Sequence, residues 1–360
     1  MNQMSESKCA KSERNIAFDA LRICAMVMVT ILHITGHGIA NCEISQFSGV
    51  YWVVLVSNTF CLVAVNCFVL ITGFFLSDRK TKLRKIVMMW LQVWTYSVGV
   101  YLILCVVPTT GVEFSFTTLI QCGLPILSNQ YWFFKCYFLL YLLSPVLNIL
   151  ISTMEKAVYR NVLVLLLVLF CAIPSINIFG DTFGTNAGYS LTWFIVLYLV
   201  AGYIKQYPVR FRVNPIFIYV GSCLVLCAIR LIGNLAGSII QAVANLQMNY
   251  NGPLIFLASA SLLQCCTHSN RCYGKFAKTI IEVISPLVFG VYLLHDHGIL
   301  SGIIWNKLAN LPEVANQPFL FIARMTVILV VLFVSGVVVE IIRSSIVKCV
   351  EKLVNRMIDK

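Results

Sequence analysis

Apolar residues in this chain run in long blocks separated by short polar segments. A block of roughly 18 apolar residues is enough to cross about 30 Å of hydrocarbon as a helix, whereas the strands of a membrane barrel would alternate with a period of two. The blocks predict about ten spans, over roughly 16–40, 51–77, 86–107, 131–151, 161–179, 190–205, 215–237, 252–266, 280–300 and 317–341. The sixth and eighth are short, as tilted or re-entrant segments would be, so nine or eleven spans are alternatives. The expected fold class is an all-α integral membrane protein.

Composition strengthens this reading. Hydrophobic residues make up 59% of the 360 and charged residues 11%, against about 25% charged in a soluble domain. A soluble core of this size would still need a charged shell. The net charge of +12 does not point to nucleic acid, because the basic residues sit between apolar blocks in alternate loops. They are Lys8, Lys11 and Arg14; Arg79, Lys80, Lys82, Arg84 and Lys85; Lys156 and Arg160; Lys205, Arg210 and Arg212; Arg271, Lys275 and Lys278; and the tail from Arg343 to Lys360. The positive-inside rule makes that side cytoplasmic and, with an even number of spans, both termini with it. The expected organisation is a cytoplasmic segment over 1–15, a polytopic membrane domain over 16–341 and a cytoplasmic tail over 342–360. Ile346, Val347, Val350, Leu353, Val354 and Met357 give that tail the spacing of an amphipathic helix on the inner leaflet.

Most of the fifteen cysteines lie inside apolar blocks and read as small hydrophobes. Cys42 and Cys122 fall near or in outward loops, and their pairing is left open. The first block is too long for a signal-peptide core and reads as a retained helix.

Ionisable groups inside spans are costly and mark function by default. The first span carries Asp19, Arg22, His33 and His37. Eleven residues at about 100° each bring Arg22 and His33 onto one stripe, separated by a rise of about 16 Å. Asp19 stands one turn before Arg22, at ion-pair spacing. The plain alternative for Asp19 and Arg22 is a snorkelling boundary pair that sets topology, and for His33 a neutral ring bonded to a neighbouring helix. His33 and His37 lack an evident third ligand, so no metal is expected. The cluster Cys265, Cys266, His268 and Cys272 matches no zinc module. A neutral His can take a proton from an attacking hydroxyl, and an Arg can hold phosphate or developing negative charge. Together they suit acyl transfer. The loop Arg79–Lys85 could bind the phosphates of a nucleotide-type donor, or simply fix topology. Gly73 would let another helix approach closely. His295 and His297, at the outward end of the ninth span, line a site mouth on one reading; on the other, Asp296 pairs with a neighbouring His.

Arg22, ten residues and His33 resemble the Arg-x10-His signature of the acyltransferase-3 family of membrane acyltransferases. Phe18–Arg22 is similar to that family's approach to its first helix, and Phe68–Leu76 to its second-helix Ser-Gly-Phe motif, with Thr72 in the Ser position. Tyr131–Phe133, Tyr141–Pro145 and Gly290–His295 also resemble family segments. The resemblance covers about residues 14–341. It implies transfer of an acetyl or other short acyl group from acyl-CoA to a hydroxyl of a cell-surface glycan or envelope precursor, in the cell membrane of a bacterium. His33 would be the general base, and Arg22, tethered by Asp19, would orient it or stabilise charge. Lys82 and Lys85 would hold the acyl-CoA, without the bidentate grip that Arg gives, and His295 would stand on the acceptor side. No permanently bound cofactor is expected. The expected partners are the bilayer, acyl-CoA and the glycan, with self-association left open. The alternative reading is a transporter or flippase of a lipid-linked glycan or small solute.

Overall fold

The computed structural model describes residues 14–208, 211–267, 269 and 273–358, with side chains up to residue 349. Lys8, Lys11, Arg210, His268, Arg271, Cys272 and Lys360 lie outside the described residues, as do the side chains of Val350, Leu353, Val354 and Met357. Among the described residues the chain is helical, with no strand.

The helices are α1 (Ile16–Gly36), α2 (Gly49–Cys61), α3 (Ala64–Leu76), α4 (Leu83–Val106), α5 (Phe116–Gly123), α6 (Trp132–Thr153), α7 (Lys156–Leu167) and α8 (Leu191–Gln206). They continue as α9 (Pro215–Ala236), α10 (Ser238–Gln247), α11 (Pro253–Thr267), α12 (Lys275–Ile284), α13 (Val288–His295), α14 (Gly298–Ile303) and α15 (Pro318–Ile358). Seven helical stretches among the described residues are long and apolar enough to cross a membrane: Ile16–Gly36, Gly49–Leu76, Leu83–Val106, Trp132–Thr153, Pro215–Ala236, Lys275–His295 and Pro318–Cys349. Leu191–Gln206 and Pro253–Thr267 are apolar but shorter, and these are the two blocks whose sequence was already short. The block over 161–179 is helical through α7 and a wider turn at Val168–Ala172. The tail residues after 341 continue α15 without a break to Ile358.

Packing puts α1 at the centre, against α2, α3, α11, α12, α13 and α15. Helices in lipid gain little from burying apolar surface, so close approach at small residues matters more. At Gly73 of α3 an added Cβ would lie 2.9 Å from the Ala201 Cβ and 3.0 Å from the Tyr198 Cα of α8. At Gly336 of α15 it would lie 2.5 Å from the Val291 Cα of α13. These contacts seat α3 on α8 and α13 on α15. Asn66 ties α3 to α8 again and to the turn before α11: its amide donates to the Tyr250 carbonyl at 2.8 Å and its oxygen accepts from the Trp193 indole at 3.0 Å. By contrast Val327, Val330, Val331, Val334 and Val338 on α15 are exposed, an apolar face suited to hydrocarbon.

Candidate active site

The site has two ends, both built on α1. At the first turn, the Asn15 side chain accepts from the Ala17 N–H at 3.0 Å and caps the helix. Asp19 follows, almost fully buried. Its carboxylate accepts from Arg14, from Arg22 Nη1 at 2.7 Å and from Ser285 Oγ at 2.8 Å. Pro286 has no N–H to continue the α-helical ladder, so a tighter turn at Ser285–Leu287 joins α12 to α13, and the Ser285 hydroxyl in it meets Asp19. Three donors compensate the cost of a buried carboxylate.

The Arg22 guanidinium lies 5.5 Å from the centre of the Phe75 ring and the Arg79 guanidinium 5.8 Å from the same ring. Lys205 stands 5.6 Å from the Phe74 ring and pairs with Asp78 at 2.5 Å. Phe18 stacks on Phe74 at 5.0 Å. Cation–π contact holds three cations around one aromatic platform. Asn148 of α6 fixes the connection after α3, donating to the carbonyls of Leu76 and Arg79 at 2.9 and 3.1 Å while accepting from Tyr198 Oη at 2.7 Å. Lys82 and Lys85 stand exposed at the start of α4. The cations held on the Phe74–Phe75 platform are Arg22, Arg79 and Lys205.

At the other end of α1, His33 Nδ1 lies 2.9 Å from His295 Nε2 and 3.7 Å from Asp296 Oδ1. His295 is fully buried, and its Nδ1 lies 2.6 Å from the Val291 carbonyl one turn back in α13. A carbonyl only accepts, so His295 carries its proton on Nδ1 and, with the ring neutral, presents a lone pair at Nε2. His33 therefore donates from Nδ1 and, when neutral, keeps its lone pair on Nε2. His33 also lines a narrow cavity of about 40 Å³, walled by Phe68, Trp132, Phe133, Phe289 and Tyr292 among others. This end is fixed by Tyr131, whose hydroxyl donates to the Leu293 carbonyl at 3.0 Å. His37 stands exposed one turn beyond His33, with ring centres 5.3 Å apart.

His297, two residues after His295, is bonded differently. Its Nε2 lies 3.0 Å from the Ser97 carbonyl, and its Nδ1 accepts from the Leu300 N–H at 3.4 Å at the start of α14. Both nitrogens are engaged with backbone, so His297 is a cap and a tie between α14 and α4. The two readings of this segment are a site mouth and an Asp296–His pair. His295 meets His33, and Asp296 stands beside the same ring. Ser285 was not singled out from sequence, since an isolated Ser in an apolar block gives no signal until its neighbour is known. Cys42 and Cys122 are free thiols.

These features describe a multi-pass helical membrane protein with guanidinium and ammonium groups gathered at one end of a central helix and an imidazole pair at the other. A sequence profile of the acyltransferase-3 acyltransferase domain matches residues 15–340, which takes in both ends of the site. The chain belongs to the acyltransferase-3 family of membrane acyltransferases. No curated protein and no solved structure matches it.

Proposed function

We propose that this chain moves an acetyl or other short acyl group from acyl-CoA to a hydroxyl of a cell-surface glycan or envelope precursor, working as a multi-pass enzyme of the cell membrane with both termini in the cytoplasm. The observation that carries the reading is the hydrogen-bond chain from the Val291 carbonyl through His295 to His33. It leaves a basic nitrogen, His33 Nε2, on a ring that lines a cavity.

His33 Nε2 accepts the proton of the acceptor hydroxyl while its oxygen attacks the thioester carbonyl. The imidazolium so formed is stabilised by the Asp296 carboxylate and by the donor–acceptor bond to His295. Collapse of the tetrahedral intermediate breaks the C–S bond, and His33 returns the proton to the departing thiolate, giving ester and free thiol. General acid–base catalysis of this kind contributes roughly 10²–10⁴-fold. The donor supports the two-ended layout, because a CoA thioester carries its phosphates at one end and its acyl group at the other of a long pantetheine arm. Arg22 and Arg79 suit the phosphates, with Lys82 and Lys85 as further charge on the approach. His33 lies about 16 Å further along α1. A cavity of about 40 Å³ suits an acetyl group, so the glycan would meet His33 at its mouth.

The test is transfer of radiolabel from acetyl-CoA to glycan in membranes containing wild type, Arg22→Ala or His33→Ala, with native envelope extract supplied. Label in the wild-type glycan fraction and none in the variants is the expected result. Full labelling by His33→Ala at equal protein level removes the catalytic assignment, and no acyl-CoA binding by folded wild type turns the reading to transport.

A further inference from the structure

We infer that the outer end of the site is also a binding site for a divalent transition-metal ion, zinc in the first place, with His33, His37, His295 and Asp296 as ligands. Sequence alone offers only His33 and His37, one helical turn apart and short of a third ligand. The fold supplies two more groups from α13 and its C-terminal turn. The ligand atoms of His33, His37 and Asp296 lie within 4.8 Å of one another, and His295 Nε2 is 2.9 Å from His33 Nδ1.

Tetrahedral zinc with bonds of about 2.0–2.1 Å sets its ligand atoms about 3.3 Å apart. The two distances from His33 Nδ1, 2.9 Å to His295 and 3.7 Å to Asp296, bracket that value. His37 lies within the same 4.8 Å set and stands exposed at the end of α1, where its ring can turn onto the ion. Trp305 backs its ring at 6.5 Å. The set is three imidazoles and one carboxylate, donors that suit zinc. The outer shell is already in place for one of them. His295 donates Nδ1–H to the Val291 carbonyl, the bond that typically fixes a metal-binding histidine with its other nitrogen bare. His33 joins by changing tautomer, its proton moving from Nδ1 to Nε2. No proton is lost on balance, but Nε2 then carries hydrogen and no longer acts as a base. Zinc therefore silences acyl transfer; this consequence rests on the function proposed above, while the metal site itself does not.

The experiment uses the purified full chain in detergent, stripped of metal, with zinc ion alone as the probe in equilibrium dialysis. One zinc per chain is expected for wild type, with affinity weakened about tenfold or more in His37→Ala and in Asp296→Asn, each shown to be folded by its thermal transition. Cobalt(II) in place of zinc is expected to give the strong visible bands of a tetrahedral nitrogen–oxygen set. Unchanged zinc affinity in both variants, or a thiolate-to-cobalt charge-transfer band placing the ion on cysteines, overturns the site. Zinc bound at this site without loss of labelling by wild type upholds the metal site and overturns His33 as the base.

Discussion

His33 and His295, separated by 262 residues in the chain, share a hydrogen bond of 2.9 Å between Nδ1 of the first and Nε2 of the second. The backbone bond at Val291 fixes which nitrogen of each ring holds a proton. Replacing His33 with Ala is expected to lower kcat by roughly 10²–10⁴-fold. His295→Ala removes the orienting partner and leaves the base, so a smaller loss, about tenfold to a hundredfold, is expected with the KM for acyl-CoA unchanged. Steady-state rates normalised to folded protein check both, and a rise in KM with kcat intact would show that the pair binds substrate instead.

His297 provides the contrast. It is as buried as His295 but bonded only to backbone, at Ser97 and Leu300. His297→Ala removes the cap on the Leu300 N–H and the tie to the Ser97 carbonyl, which keeps its own helical partner within α4, at a cost of about 0.5–2 kcal/mol. The expected outcome is a lower thermal transition in detergent with kcat per folded molecule little changed. A large loss of kcat in fully stable protein would refute the distinction.

Asp19 is a buried carboxylate with three donors. Asp19→Ala leaves Arg14, Arg22 and Ser285 without their common acceptor. Because Arg22 is 33% and Arg14 47% exposed, water screens part of the loss, and the expected destabilisation is about 1–3 kcal/mol. Arg22 should also lose its fixed position beside Phe75, raising the KM for acyl-CoA. Denaturation of the purified variant and donor titration measure the two effects separately.

Gly73 admits α8 at a distance that leaves no room for a side chain. Gly73→Val forces the backbone of Tyr198 away, and with it the Tyr198–Asn148 bond that helps hold the Arg79 connection. Overpacking of this kind costs about 1–3 kcal/mol. The variant is expected to melt earlier and to bind acyl-CoA more weakly; unaltered melting would mean that α3 and α8 can separate freely.

Phe68 and Phe133 narrow the cavity beside His33, with ring centres 6.2 Å apart. Phe68→Ala is expected to raise the rate with butyryl-CoA relative to acetyl-CoA by roughly 10- to 200-fold, the equivalent of the 1–3 kcal/mol that such pocket contacts are worth. Competition between the two donors reads this directly, and an unchanged ratio would place the acyl group elsewhere.

Apolar block length determined much of this protein. Hydrocarbon demands an internally bonded helix of sufficient length wherever the chain crosses it, so the helical fold and the short blocks over 190–205 and 252–266 were legible in residue order. So were Arg22 and His33 on one stripe, because helix geometry is local, and the family followed from motifs in order. What residue order left open depends on which helices meet. Nothing local distinguishes His295 from His297, two residues apart; packing of α13 against α1 and α15 turns the first to His33, and the start of α14 claims the second as a cap. The cations at the other end were read from the loop Arg79–Lys85, but it is Arg79 and the distant Lys205 that lie on the aromatic platform. Ser285 on Asp19, and Asp296 beside His33, are likewise products of tertiary contact. A side chain's chemistry is set by its own atoms and its helix, but its partner is set by close packing of helices far apart in sequence, and that is decided only when the whole bundle has assembled.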